Sequence, residues 1–501
     1  MVFAAIRHAP VGEASLGSFD RKAASDVTGF GQLIEGPDWL AATGETWWAA
    51  EQALARIAPR FKGSHRADSA RIARALDRGL KSDSAEELAS NGDALAQLGT
   101  KPDLTATYAL APALHAGIET ASATARVSGD KAELWVASQA PQALRRDVAR
   151  ALDLSIVDVV LYPVAAGGSF DARLDHAHAL EAALIARKVG KPVQLTWSRW
   201  QEHIAVPPRA PARARVAVKT TPDGSPFALH LRLAAPSSSA EFGARLFGGE
   251  GRRQALAAQA QADPQIGGGF DLAYAIPHLL IEHVPVAIDL PSGRQRGNEQ
   301  ALGCFLIETA IDELARRSGR EPLSFRMALL GGDLKLAKCL QNAATLAEWN
   351  GSPPGSGEGL ACHRQTLGGR EGRIAVVASA HPSEAGFRVE KLTAVVDIGR
   401  IVNVDLARQQ IEGGLIFGLG LALGCTTRWS RGLPDSGRLA ALALPNLAAC
   451  PAIEVDFIES EAEPFDPGEL GVAAVLPAIG NALFAATGTR IRTLPLTGAG
   501  Q

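Results

Sequence analysis

The sequence predicts a mixed α/β fold of the α+β kind, and three observations predict it. From residue 105 onward, short β-branched and aromatic runs alternate with alanine-rich helical stretches. Each half of the chain holds a unit of strand, glycine-rich loop and helix. Finally, 47% of the 501 residues are hydrophobic and 21% charged, which suits a soluble globular chain with a large core and about three domains of ordinary size.

The elements follow in order. Residues 1–10 read as a strand already inside a folded domain, and 45–57, rich in alanine and tryptophan, as a helix. Residues 61–104 are polar, with one amphipathic helix over 67–80, and suit a connector crossing the surface. A strand at 131–138 leads to Pro141, placed where a first helical turn tolerates proline, and to a helix over 142–152. A strand at 156–164 ends in the loop that reaches Asp171, a helix over 175–189 stops at Gly190, and 192–197 is the next strand. Residues 205–290 read as antiparallel strands, interrupted by a long loop over 237–269. In the second half, a helix over 305–317 is closed by Gly319, and a surface hinge spans 351–359. Strands at 374–379 and 392–396 follow, then helices over 409–423 and 477–487.

Composition excludes several classes. The net charge of −3 and the lack of any long basic run argue against a nucleic-acid binder. The five cysteines, Cys304, Cys339, Cys362, Cys425 and Cys450, are scattered and form no Cys-x-x-Cys pair. Neither an iron–sulfur cluster nor a zinc site is expected in this chain, nor is a flavin or haem motif present, and buried thiols in a reducing compartment are the simplest reading. The apolar run 413–425 is shorter than the ~20 residues a bilayer requires, so no membrane span is expected. The N-terminus lacks the pattern of a signal peptide, which places the chain in the cytoplasm, or in the periplasm if a partner carries it there.

Four glycine-rich loops stand out: Gly167-Gly168-Ser169-Phe170, Gly293 to Gly297, Gln410 to Gly414, and Gly468 to Gly471. Glycine lets backbone amides approach a ligand closely. Each loop alone is explained equally well as a turn. In order, with their neighbours, they resemble one family. Ser138-Gln139-Ala140-Pro141, the Gly167 loop, Lys191-Pro192-Val193 with Trp197 and Arg199, and Arg296-Gly297 carry the first part of the match. Glu308 with Asp312-Glu313-Leu314-Ala315, Pro322 with Arg326, Asp397-x-Gly399-Arg400, Gln410-x-Glu412-Gly413-Gly414, Pro467-Gly468-Glu469, and Ala486-Thr487-Gly488-x-Arg490 complete it. This pattern is similar to the molybdopterin-binding large subunits of the xanthine dehydrogenase/aldehyde oxidase family, nearest to the isoquinoline 1-oxidoreductase beta-subunit type.

The resemblance implies a partial α/β hammerhead over 1–60, a connector over 61–104, and two cofactor-binding lobes over 105–290 and 291–501, each of mixed sheets and helices. It implies molybdenum held by molybdopterin in its cytosine dinucleotide form, with no protein side chain as metal ligand. The implied reaction hydroxylates a small aldehyde or N-heterocycle, with water as oxygen source. Glu469 matches the catalytic base, Gln139 a hydrogen-bonding partner of the metal's oxo group, and Arg296 a cation near the substrate, with Arg294 as its rival. Gly167, Gly168, Ser169, Phe170, Gln410, Gly413, Gly414 and Gly468 match cofactor contacts. Electrons then pass to a small iron–sulfur (2Fe–2S) subunit, with a cytochrome c beyond it. His176 and His178, two residues apart, have poor metal-ligand spacing and read as a solvated helix end.

The chain also departs from the pattern. It is read as truncated at its N-terminal side and lacking a Met-Gly-Gln-Gly-type loop, so a companion chain is expected to supply that segment. Asp171 stands where glycine is usual, and Leu470 where Gly-Glu-Pro-Gly has proline. A non-catalytic paralogue with a structural or assembly role is the alternative, and a small-ligand or nucleotide binder is a third reading with no independent motif.

Overall fold

A computed structural model describes residues 1–64, 67–248, 252–384 and 386–497. Three mixed sheets organise the chain. The first has seven strands, in the order Val159–Pro163, Lys131–Val136, Ser122–Ser128, Val193–Thr196, Val2–His8, Trp39–Gly44 and Phe30–Glu35. Val2–His8 pairs parallel to Val193–Thr196, with Val2 opposite Val193, so the opening strand shares a sheet with elements that follow it by more than a hundred residues. The hammerhead expected over 1–60 and the first lobe expected over 105–290 therefore have a sheet in common.

Helices Pro141–Leu152 and Ala177–Val189 cover one face of this sheet, burying Leu144, Val148, Ile185 and Ala186 among Leu134, Val136 and Leu195. Both helices end as the sequence requires, with residues in the left-handed region at Asp153 and Gly190. The second sheet holds six strands, from Thr493–Leu494 through Leu104–Leu110, Ala212–Thr220, Pro226–Ala235 and His278–Pro285 to Glu86–Asn91. His278–Pro285 pairs parallel to Pro226–Ala235, which corrects the expected all-antiparallel arrangement of 205–290. The third sheet has four strands, Glu358–Leu367, Arg370–Ser383, Gly386–Asp397 and Ala452–Phe457.

One continuous core fills the space between the second and third sheets, around helices Asn298–Arg317, Val404–Leu423 and Leu470–Thr487. The last of these begins seven residues before the expected start at Pro477 and carries that proline inside. A buried proline costs the helix one hydrogen bond. Dense packing on every side outweighs it here, since Leu470 to Ala482 are all buried. This helix is long and apolar enough to cross a membrane, yet 83% of it is buried in the core. The long loop expected over 237–269 is instead a chain of short helices among the described residues, including Ser238–Gly243 and Pro264–Phe270.

Candidate functional site

The first glycine loop leaves strand Val159–Pro163 and is held at its start by Glu119, whose Oε2 accepts the Gly167 amide at 2.6 Å. Gly168 has φ +97°, and a Cβ there would stand 3.1 Å from the Phe170 ring. Phe170 and Asp171 also adopt the left-handed region, with φ 52° and 75°. That region is costly for side chains other than glycine, asparagine and aspartate, so the surroundings must hold it. The Phe170 ring packs on Phe417 of helix Val404–Leu423, centroids 4.7 Å apart. Asp171 Oδ1 accepts Gln139 Nε2 at 3.0 Å, and Ser169 Oγ donates to Gln139 Oε1.

Arg296 ties three loops together. Its amide donates to the Phe170 carbonyl at 3.3 Å, its Nε to the Gly468 carbonyl at 2.8 Å and its Nη2 to the Gln410 carbonyl at 2.9 Å. Gly297 comes next with φ +88°, and a Cβ there would lie 2.4 Å from Val472. Its amide donates to Glu469 Oε2, at the head of helix Leu470–Thr487. Glu469 is half-buried, and burial is the main reason its carboxyl is pushed up to about 7. The Gly297 amide opposes that rise, the Asp171 charge adds to it, and Arg296 and Arg294 pull it back. Burial also lowers the Arg296 guanidinium from its ordinary value, against Glu469, Asp466 and Asp171.

The structure thus brings together Gln139, Ser169, Phe170, Arg296, Gln410, Gly468 and Glu469, residues drawn from a span of more than three hundred positions. Gly413 borders them, since a Cβ there would meet only Arg296 Nη1, at 3.5 Å. Gly414 turns away. A Cβ on it would stand 3.1 Å from Gly471, so it serves close packing between two helices. The carbonyl of Arg294 bonds to His115 Nε2 at 2.6 Å, while its charge, like that of Arg296, acts on Glu469. His176 and His178 are no solvated helix end. His176 bonds to Asp147 at 2.7 Å and His178 is buried, because the helix they open lies against the first sheet.

Sequence reasoning missed Glu119 as the anchor of Gly167, Asp171 as the partner of Gln139, and Phe417 as the backing of Phe170. No local spacing signals these pairings, which join residues 32 to 247 positions apart.

This face suits a group that contacts bare backbone. Gly167 is exposed, Gly168, Gly413 and Gly468 are half-buried without side chains, and Gln139 and Gln410 extend polar amides at the edge. A half-buried carboxylate stands behind them. Those features fit a polar cofactor that brings its own metal. Among the described residues, no group of three or more His, Cys, Asp or Glu side chains is arranged to hold a metal ion.

The description "Molybdopterin cofactor-binding domain" matches residues 80–247 and a second domain of that description matches 371–451. Isoquinoline 1-oxidoreductase subunit beta from Brevundimonas diminuta is 26% identical, over 99% of this chain and 64% of its own length. The chain therefore spans less than two thirds of that relative. Quinoline 2-oxidoreductase from Pseudomonas putida 86 superposes with a TM-score of 0.76 at 13% identity, covering 99% of this chain and 93% of that one. Aldehyde oxidoreductase from Desulfovibrio gigas gives 0.77 at 15% identity, covering 99% and 76%. These likenesses span 99% of the chain. The chain matches two molybdopterin cofactor-binding domains, is a homologue of isoquinoline 1-oxidoreductase subunit beta over 99% of its length, and shares the fold of the quinoline and aldehyde oxidoreductases.

Proposed function

We propose that the chain is the cofactor-binding part of a molybdenum-dependent oxidoreductase that hydroxylates an aldehyde or N-heterocycle with oxygen from water. The observation that carries this reading is Glu469: a half-buried carboxyl near 7, with one hydrogen bond from Gly297 and acceptor capacity left over, beside bare glycine backbone. A group titrating near neutrality is suited to hold and release a proton at physiological pH. Bound molybdopterin, in its cytosine dinucleotide form, would supply two-electron redox chemistry.

The chain's own residues do the rest. Gly167, Gly168, Ser169, Phe170, Gln410, Gly413 and Gly468 form the cradle, with Gly414 behind it setting the helix spacing. Gln139 offers its amide, and Arg296 fixes the Gly468 and Gln410 backbones while placing positive charge beside Glu469. Glu469 accepts the proton at its carboxylate.

The proposed assembly adds a small iron–sulfur subunit and a cytochrome c. The exposure of Gln139 and Gln410 supports a further chain covering this face. All five cysteines are free, and four are buried, in keeping with the cytoplasm or with export alongside a partner. The non-catalytic reading rested on Asp171, and Asp171 is built into the site as the partner of Gln139. The test purifies the protein with its natural neighbours and measures molybdenum by mass spectrometry. Metal in the complex, with Glu469→Gln silencing turnover at unchanged metal content, supports the reading; a complex with every partner present and no molybdenum ends it.

A further inference from the structure

Arg209 is a buried cation without a bonded counter-ion. The residue is 6% exposed, and its side chain makes one bond among the described residues, from Nη2 to the Ala111 carbonyl at 3.0 Å. Its Nε and Nη1 are buried and have no hydrogen-bond partner. Buried charges in folded proteins are normally paired, because the loss of water is otherwise uncompensated. Burial lowers the Arg209 guanidinium to about 10, which still leaves it charged at neutral pH. Glu299 and the Cys425 thiol are the groups whose charge reaches it, and neither bonds to it. Burial raises both of them, Cys425 up to about 12.

Arg209 lines a recess of about 10 Å³, room for one group about the size of a water. Ala111, Pro112, Thr426, Leu494 and Pro495 line this recess and also a pocket of about 550 Å³, so the two spaces adjoin. The bond to Ala111 sets the guanidinium at their common wall. The pocket lies between helix Ser69–Gly79 and the end of strand Leu104–Leu110, and its volume suits one small organic molecule. Ile72, Leu76, Leu110, Pro211 and Leu494 make much of its wall apolar. Arg213, also in the wall, is taken by Asp77 at 3.0 Å, while Arg428 and Asp435 are exposed at the rim. An inorganic anion would pair Arg209 and leave the apolar wall wet. A neutral apolar molecule would cover the wall and leave the cation unpaired.

We propose that this pocket binds one organic carboxylate with an apolar body, the size of a medium-chain fatty acid, with one carboxylate oxygen in the recess against Arg209 and its tail along Ile72 and Leu76. A hydrogen bond between guanidinium and carboxylate is of the strong, charge-assisted kind. Burial of the tail adds the apolar contribution. No residue of the recess or the pocket belongs to the cofactor cradle, so this site stands or falls apart from the function proposed above.

The experiment titrates the full chain with octanoate, with acetate, which has the head and no tail, and with 1-octanol, which has the tail and no charge. Calorimetry reads binding, and thermal melts read folding. One octanoate binds per chain with a Kd below about 1 mM and raises the melting temperature. Acetate and 1-octanol bind at least about tenfold more weakly. Arg209→Met removes an unpaired buried charge, so the ligand-free variant melts no lower than the parent, yet it binds octanoate at least about tenfold more weakly. Ala73→Trp fills the pocket from a position that lines it but not the recess, and it abolishes octanoate binding. If Arg209→Met does not fold, Ala73→Trp and the two control ligands decide. No saturation by octanoate below about 1 mM, equal binding of acetate or 1-octanol, or undiminished binding by a folded variant overturns the proposal. So does a crystal of the natural complex in which an acidic side chain of a partner occupies the recess.

Discussion

Two arginine–carboxylate clusters in this chain differ in how fully they are satisfied. Around Glu308, in the core of the second half, Arg326 Nε donates to Oε2 at 2.9 Å, the Cys362 amide at 3.3 Å, and the Tyr274 hydroxyl to Oε1. Arg326 also donates to the carbonyls of Glu308 and Pro322, and Arg490 clamps Asp312 at 2.7 Å and Asn481 Oδ1 at 2.7 Å. The acids hold Arg326 above its ordinary value in spite of full burial. Glu469 and Arg296, at the open face, are only half-buried, and Glu469 receives a single backbone bond. The closed cluster engages both Glu308 oxygens inside the core and fixes the fold. The open one keeps a carboxylate oxygen for something else. Both sets of residues sit in the sequence pattern that identified the family, so membership in a motif does not by itself separate structure from chemistry.

The largest expected effect breaks the open cluster. In the metal-loaded complex, Glu469→Gln lowers kcat by about 10²–10⁴-fold, the range of a general base, while the melting temperature of the chain holds or rises. A loss of molybdenum in step with activity would instead make Glu469 a cofactor anchor. Breaking the closed cluster does the reverse. Arg326→Met leaves Glu308 buried without its cation and costs about 3–5 kcal/mol of stability in denaturant titrations. A cost below about 1 kcal/mol would place that pair among those that merely break even.

A smaller effect concerns pH. Because the folded Glu469 carboxyl sits near 7, above its unfolded value, the folded state holds the extra proton. The stability tied to that proton is fully present below the unfolded value and is lost as pH rises toward 7. Glu469→Gln removes this dependence, so the stability gap between variant and parent widens in favour of the variant from pH 5 to pH 8 in thermal melts. Asp171→Asn removes a charge that helps raise Glu469. It moves the acidic limb of the pH–rate profile to lower pH, and an unmoved limb would detach Asp171 from Glu469.

The smallest effect separates two glycines on one helix. Gly413→Ala meets nothing closer than Arg296 Nη1 and stabilises the helix by up to about 1 kcal/mol, yet it fills the cradle and lowers molybdenum content. Gly418→Ala puts a Cβ 2.1 Å from Val475 and destabilises without any direct contact with the cradle. Equal metal content in the two variants would take Gly413 out of the cofactor face.

Much of the fold was legible because its signals are local. The helix at Pro141–Leu152 follows from the proline at its first turn, that at Ala177–Val189 from the glycine that ends it, and both from the apolar spacing between. The helix containing Pro477 was misread at its start for the same reason: proline is a strong local breaker, and only tertiary burial outweighs it. The short helices of 237–269 were missed because glycine, alanine and glutamine carry little periodic pattern there. At the site, Gln139, Arg296, Gln410 and Glu469 were named from an ordered motif, and the structure gathers them on one face. The rival placing of the arginine at Arg294 had no local discriminator, and contact with Gly468 and Gln410 distinguishes Arg296.

By itself, the sequence determined the family pattern, the residue types at the glycine loops, and the lack of any charge or cysteine pattern for nucleic acid, iron–sulfur or zinc. Those are properties of residue identity and order. Tertiary structure decided which carboxylates are spent and which are free, because hydrogen-bond satisfaction depends on neighbours remote in sequence, 18 to 54 residues away for Glu308 and 172 for Glu469. It also decided that Gly413 faces the cradle while Gly414 faces a helix, one residue apart in sequence and a hundred degrees apart around the axis.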